Sequence, residues 1–124
     1  MLPSALAAAC LLAAGAAAAQ SAGEQGFIDN CAACHQKAGE GIPGAFPALA
    51  GDPLVLGDPT AVATTMLLGR GGMPAFKDGL SDAELADIAT YVRGAWGNRA
   101  APIPAVTFAQ VRSGPPPQTR LQAH

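Results

Sequence analysis

Apolar residues recur at helical spacing late in the chain. Leu85, Ile88, Val92 and Ala95 share one helical face, and the pattern runs to about Trp96. Ser81-Asp82-Ala83-Glu84 marks its start. The serine can cap the helix and the glutamate can reach back to the serine's backbone, with Leu80 and Leu85 placed as a hydrophobic staple. Gly97-Asn98 stops it. A second helix is predicted from Asp58-Pro59, an N-cap followed by proline at the first helical position, to about Leu68, where Gly69 ends it. A short one runs from Gly23 to Asn30. Gln36 to Gly57 is rich in Gly, Pro and Ala without periodicity and reads as loop, as does Gly71-Gly72-Met73-Pro74. From Ala100 onward, Ala101-Pro102-Ile103-Pro104 and Pro115-Pro116-Pro117 are barred from helix interiors. That segment is expected to be extended or disordered, with at most one helical turn near Phe108 to Arg112. No repeat at solenoid periods is visible. The pattern predicts a small all-α domain over residues 20–99 and a Pro-rich tail over 100–124.

Ahead of these elements, Ala5 to Ala19 is almost wholly alanine and leucine. As a helix it would reach about 22 Å, short of a hydrocarbon core of about 30 Å. Ala17-Ala18-Ala19 puts small residues where a signal peptidase reads, with cleavage before Gln20. Residues 1–19 are therefore expected to be an export signal peptide, although no Lys or Arg precedes the apolar run. Cys10 could instead anchor a lipoprotein, but Ala7 stands where a lipobox prefers leucine. On the export reading Cys10 leaves with the leader, and the mature protein is periplasmic, free or bound to a membrane complex.

Composition changes the picture of the core. Half of the 124 residues are apolar, but only 5% are aromatic, and the many alanines bury little area each. A domain this small commonly needs a staple such as a metal, a disulfide or a cofactor. The formal net charge is −2, and with no basic run or basic-aromatic patch a nucleic-acid partner is excluded. All 9 acidic residues lie between Gln20 and Asn98, against Lys37, Lys77, Arg70 and Arg93, whereas the tail carries Arg99, Arg112 and Arg120. A basic tail could fold on the acidic body or clasp a partner; the alternative is a solvated, disordered tail.

The chemistry concentrates at Cys31-Ala32-Ala33-Cys34-His35, the attachment signature for c-type haem. Two thiols at this spacing at a helix end can reach the two vinyl groups of one porphyrin. The following imidazole is then held under the ring, within reach of the iron. A redox CxxC pair needs no such histidine and usually sits in a βαβ context, which is missing. A zinc site needs four ligands, and beyond this motif the only other Cys or His outside the leader is His124. A disulfide across this spacing would be strained and would staple almost nothing. A buried haem would also supply the missing apolar bulk. Met73, between glycines and a proline, is the candidate sixth ligand. Met66 is the rival, but it lies within a predicted helix, where core filling explains it. Ligation by His35 and Met73 leaves the iron no open position and raises the potential. That favours electron transfer over peroxidase, oxygenase or gas-sensing chemistry.

From about Gly23 to Asn98 the chain resembles class I cytochromes c, and more narrowly the haem c domains that serve bacterial periplasmic or membrane-bound dehydrogenases. Gly23, Phe27 and Cys31 fall at successive intervals of four as in the family's N-terminal helix, and Ile88 and Tyr91 occupy the facing positions of its C-terminal helix. Pro47-Ala48-Leu49-Ala50-Gly51 resembles the family's P-x-L-x-G loop. The resemblance implies a small cytochrome c fold, three to four short helices around one covalent haem c, with the terminal helices crossing at Gly23. It implies that the Pro47 carbonyl accepts the N–H of the axial histidine and that Leu49 packs on the ring. The expected cofactor-binding set is Cys31, Cys34, His35, Pro47, Leu49 and Met73, with His35 and Met73 on the metal and no catalytic residue. The implied function is transfer of single electrons, as a carrier or subunit fed by a dehydrogenase and emptied by an oxidase, a quinone or another cytochrome. The alternative is the haem subunit of an enzyme acting on a small substrate at the iron. The lysine ring of mitochondrial members is missing, since only Lys37 and Lys77 are present, so lysine-steered docking on an acidic oxidase is not expected.

Overall fold

The computed structural model describes residues 22–115. The leader expected over 1–19 with Cys10, the cleavage before Gln20, and the tail end with Arg120 and His124 lie outside the described residues. Helix α1 covers residues 22–30, and Cys31 joins it to a one-turn helix α2, Ala32–His35. After a long loop come α3, Pro53–Leu56, and α4, Pro59–Leu68. A second loop leads to α5, Asp82–Gly94, and the chain closes with α6, Ala105–Ser113. Among the described residues no strand forms. Two isolated bridges, Ile42 with Phe46 and Arg70 with Met73, close tight turns. The expected all-α architecture is what the structure shows.

Local signals act where they were read. Asp58 accepts from Thr60 N at 3.1 Å to cap α4, and Gly69, at φ +74, lets the chain leave it. Ser81 and Glu84 form a reciprocal capping box, with Ser81 N to Glu84 Oε2 at 2.8 Å and Glu84 N to Ser81 Oγ at 3.1 Å. Helix α5 stops at Gly94, two residues before the expected end, with Trp96 at φ +53 in the turn that follows.

Two expectations need correction. The stretch Gln36–Gly57 is not all loop: Asp52 caps α3 by accepting from Leu54 N and Val55 N, with Pro53 at its first position. The segment after Ala100 is not extended to its end, since its prolines flank a nine-residue helix instead of interrupting it. Ile103, Phe108 and Val111 are buried, and α6 packs on both α4 and α5. Arg112 folds back on the acidic body. It pairs with Asp82 at 2.8 Å and donates to the Leu80 carbonyl at 3.1 Å and to the Lys77 carbonyl.

The crossing of α1 and α5 depends on missing side chains. A Cβ at Gly23 would fall on the Asp87 carbonyl and 2.9 Å from Tyr91 Cβ. One at Gly26 would come within 2.7 Å of Ile88 Cγ1. Phe27 then packs beside Tyr91 and Trp96, with ring centroids 5.7 and 5.0 Å away. This close approach carries the cysteine motif, at the end of α1, onto the face of α5.

Candidate functional site

Cys31 continues the hydrogen bonding of α1, with its N–H on Phe27 O at 2.8 Å, and receives that of His35 at 2.9 Å. Both motif thiols are thereby fixed on one short helical end. Cys31 and Cys34 are half-buried and unpaired. Burial, with Cys34 beside it, pushes the Cys31 thiol up to about 11, so near neutral pH it is held as a thiol.

His35 is buried at 9% exposure. Its Nδ1 lies 2.9 Å from the Pro47 carbonyl. A carbonyl can only accept, so Nδ1 carries the proton, and in the neutral ring Nε2 keeps its lone pair for another partner. The loop that brings Pro47 there is held at several points. Gly41 N donates to His35 O at 2.9 Å, and Leu49 N and Ala50 N donate to Gly39 O at 2.8 and 3.1 Å. Gly41 takes φ +63, and a Cβ there would lie 2.5 Å from the Phe46 carbonyl oxygen, so only glycine fits. Asn98, 4% exposed, fastens the far end. Its Oδ1 accepts from Gly51 N at 2.8 Å, and its Nδ2 donates to Leu49 O at 3.1 Å and Val92 O at 2.8 Å.

On the second loop, Met73 N donates to Arg70 O at 2.9 Å, and Phe76 N returns to Met66 O at 3.0 Å. Met73 therefore sits in a tight turn just past α4. Met66 lies within α4 and packs against both apolar clusters of the core, as a gap-filling methionine does.

These elements enclose a cavity of about 550 Å³. The six expected residues, Cys31, Cys34, His35, Pro47, Leu49 and Met73, all line it. Met66 also reaches it. Phe27, Val55, Ile88 and Val92 contribute apolar walls. Two free thiols at one helix end, an imidazole with an available nitrogen, a thioether and apolar walls are a donor set that fits haem c. A shallower recess of about 380 Å³, beside Glu40 and Phe46, gathers no reactive group.

Three residues of the site are not announced as such by the sequence. Arg93, 4% exposed, and Asp52 also line the cavity. The signal for Arg93 was its place four residues after Ala89, on the apolar stripe of α5; it was counted only as a charge. In sequence Asn98 signals a helix stop, and nothing local announces that it ties down the 49–51 loop.

The sequence profile of the family described as cytochrome c oxidase, cbb3-type, subunit III, matches residues 18–92. The chain is 39% identical over 92 residues to the cytochrome c subunit of an alcohol dehydrogenase (quinone) from Gluconobacter oxydans, covering 64% of this chain and 19% of that protein. It is 31% identical over 112 residues to the gluconate 2-dehydrogenase cytochrome c subunit of Pantoea cypripedii, covering 79% of this chain and 24% of that protein. It is 39% identical over 74 residues to cytochrome c6 of Leptolyngbya boryana, covering 58% of this chain and 87% of that protein. The chain thus spans about a fifth to a quarter of the dehydrogenase subunits it matches, but most of the small cytochrome.

Proposed function

From the premise that this chain belongs to the c-type cytochrome family of cbb3-type oxidase subunit III, we propose that it carries single electrons on one covalent haem c between periplasmic redox partners. The donor in this reading is a periplasmic or membrane-bound dehydrogenase, and the acceptor is an oxidase, a quinone or another cytochrome. The dehydrogenase subunits among its relatives support the donor. The chain acts as a carrier or an electron-transfer subunit, exported by its leader. No helix among the described residues is long and apolar enough to cross a membrane.

One observation carries this reading: His35, tautomer fixed by Pro47 at 2.9 Å, borders the same cavity as both cysteines and Met73. When bound, the haem supplies the one-electron iron couple. Cys31 and Cys34 would be the attachment thiols, and His35 and Met73 would donate to the iron. The Pro47 carbonyl makes the imidazole more basic and fixes its ring plane. A neutral thioether stabilises ferrous iron relative to ferric. Leu49 and the apolar walls exclude water. Donation by both His35 and Met73 would favour electron transfer over chemistry on a substrate.

The test is paired. Haem should stay with the protein through acid–acetone extraction, and reduced wild-type protein should bind carbon monoxide poorly. Met73→Ala should bind it readily, whereas Met66→Leu should behave as wild type, because a volume-conserving swap costs little. Fast binding by the wild type would move the function toward chemistry at the iron. Control of binding by Met66 would reassign the axial ligand.

A further inference from the structure

Met73 sits on a loop with little of its own to hold it. Gly71 and Gly72 beside it have open space around them, and glycine gives up more chain freedom than other residues when one conformation is fixed. The turn contributes one backbone bond of its own, Met73 N to Arg70 O at 2.9 Å. The return of the loop is fastened elsewhere. Phe76 N and Lys77 N donate to Met66 O and Leu67 O at the end of α4, at 3.0 and 3.2 Å. Phe76 and Leu80 pack on the apolar cluster that α4, α5 and α6 share.

One side chain reaches that return from α6. Among the described residues, Arg112 alone donates side-chain hydrogen bonds to the backbone of 69–80. Its Nη1 donates to the Lys77 carbonyl, its Nη2 to the Leu80 carbonyl at 3.1 Å, and its Nε meets Asp82 Oδ1 at 2.8 Å. The ion pair is 28% and 29% exposed on its two sides, and such a pair by itself contributes little. Its effect is to orient the fork. With Nε held by Asp82 in the first turn of α5, both Nη groups face carbonyls of the loop, and these are charge-assisted bonds, stronger than neutral ones. The platform behind Arg112 is firm. Phe108 and Val111 are buried, and Thr90 Oγ1 exchanges hydrogen bonds with the backbone of Ile103 at 3.2 and 3.4 Å. Helix α6 lies beyond the stretch 18–92 that the family's profile matches, so the shared haem signature does not account for this contact.

We propose that Arg112 is a positioning residue: by holding the Lys77 and Leu80 carbonyls it fixes the loop that presents Met73, so the segment after Ala100 controls how firmly the sixth donor is held. The inference rests on the reading of Met73 as a donor to the iron. A thioether is neutral and soft, and a ligand on a loop is only as well placed as the contacts supporting that loop. Loops that carry ligands open more easily than the core. Here, lifting Met73 away together with 76–80 requires Arg112 to release two carbonyls. Lysine could not replace it, since a single ammonium lacks the fork that spans Asp82 and both acceptors.

The experiment follows carbon monoxide binding to the reduced, haem-loaded protein. Met73→Ala is measured first; a rate equal to wild type overturns the axial reading itself. With that variant fast, Arg112→Met, which keeps an apolar stem and removes the donors, should bind carbon monoxide about tenfold faster than wild type at equal haem content, the factor that one charge-assisted bond supplies. Arg112→Lys should fall between the two. Asp58→Ala, which removes the cap at the far end of α4, should keep the wild-type rate. An unchanged rate in Arg112→Met overturns the proposal, and so does an equal rise in Asp58→Ala, because general loss of stability would then be the cause. If Arg112→Met fails to accumulate, native-state hydrogen exchange of the wild type decides. The amides of Phe76 and Lys77 should open together with those of α6, with one denaturant dependence. An opening that exposes α6 while Phe76 and Lys77 stay protected would overturn the assignment.

Discussion

Two apolar clusters share α5 and are completed in different ways. One joins Val62, Ala63 and Leu67 of α4 with Leu85, Ala86 and Ala89 of α5, and is closed by Ile103, Phe108 and Val111 from the C-terminal segment. Val62 and Ala89 also border the cavity, and the chain itself fills the rest. The other consists of Phe27, Val55, Ile88 and Val92, and all four border the cavity. It is a shell whose centre the chain leaves for the cofactor. One half of this small core is closed by the chain's own side chains, and the other, on the proposed reading, is completed by haem. The alanine-rich composition is tolerable because of that division.

The largest effect should come from removing the covalent anchors. Cys31→Ala with Cys34→Ala leaves the second cluster around an unfilled space, and we expect a largely unfolded apoprotein without a cooperative thermal transition by circular dichroism. A native-like transition would mean that the closed cluster suffices for both halves. Next comes Phe108→Ala, which empties the centre of the closed cluster. It should cost about 3–5 kcal/mol in denaturant unfolding of the haem-loaded protein. A loss under about 1 kcal/mol, the level of a surface change, would show that α6 is an accessory to the fold.

Asn98→Ala probes the seam between the loop and α5. It removes three hydrogen bonds, one buried and two part-buried, and should cost about 1–3 kcal/mol for the groups left unpaired. Hydrogen exchange should rise at Gly51 more than in α4. The smallest effect is expected at Glu84, where the hydrogen bonds from Ser81 hold the carboxyl below its ordinary value. A depressed folded-state pKa stabilises above the ordinary carboxylate value, and the contribution fades as pH falls through the lowered one. Glu84→Gln should flatten that part of the stability–pH curve, by urea midpoints across the acid range, with spectra unchanged.

The closed cluster and the shell were unequally legible. The capping box of α5 and the Asp58-Pro59 start of α4 are local, and sequence patterns report local physics. Asp52-Pro53 carries the same signal as Asp58-Pro59, but the helix it starts has four residues, too few for a period to appear. Helix α6 was hidden because proline was read as a breaker, although Pro104 and Pro115 stand just outside its ends, where proline is tolerated. The cavity's anchors were legible because haem attachment requires a fixed local spacing. Arg93 and Asn98 were not, since their acceptors lie 38 and 49 residues away, and only tertiary packing brings such groups together.

Trp96 and Tyr91 are the only tryptophan and the only tyrosine of the chain, and they stand edge to face with centroids 5.7 Å apart. Both pack against Phe27 of the shell, and Gly39 lies so close beneath the indole that a Cβ there would enter it. The closed cluster contains neither chromophore. The tyrosine and tryptophan bands of near-ultraviolet dichroism, and indole emission, therefore report on one half of the molecule only. Haem in the cavity that Phe27 lines would quench that emission, so light returning from Trp96 marks the opening of the cofactor shell, to which the α4–α6 half adds no indole signal.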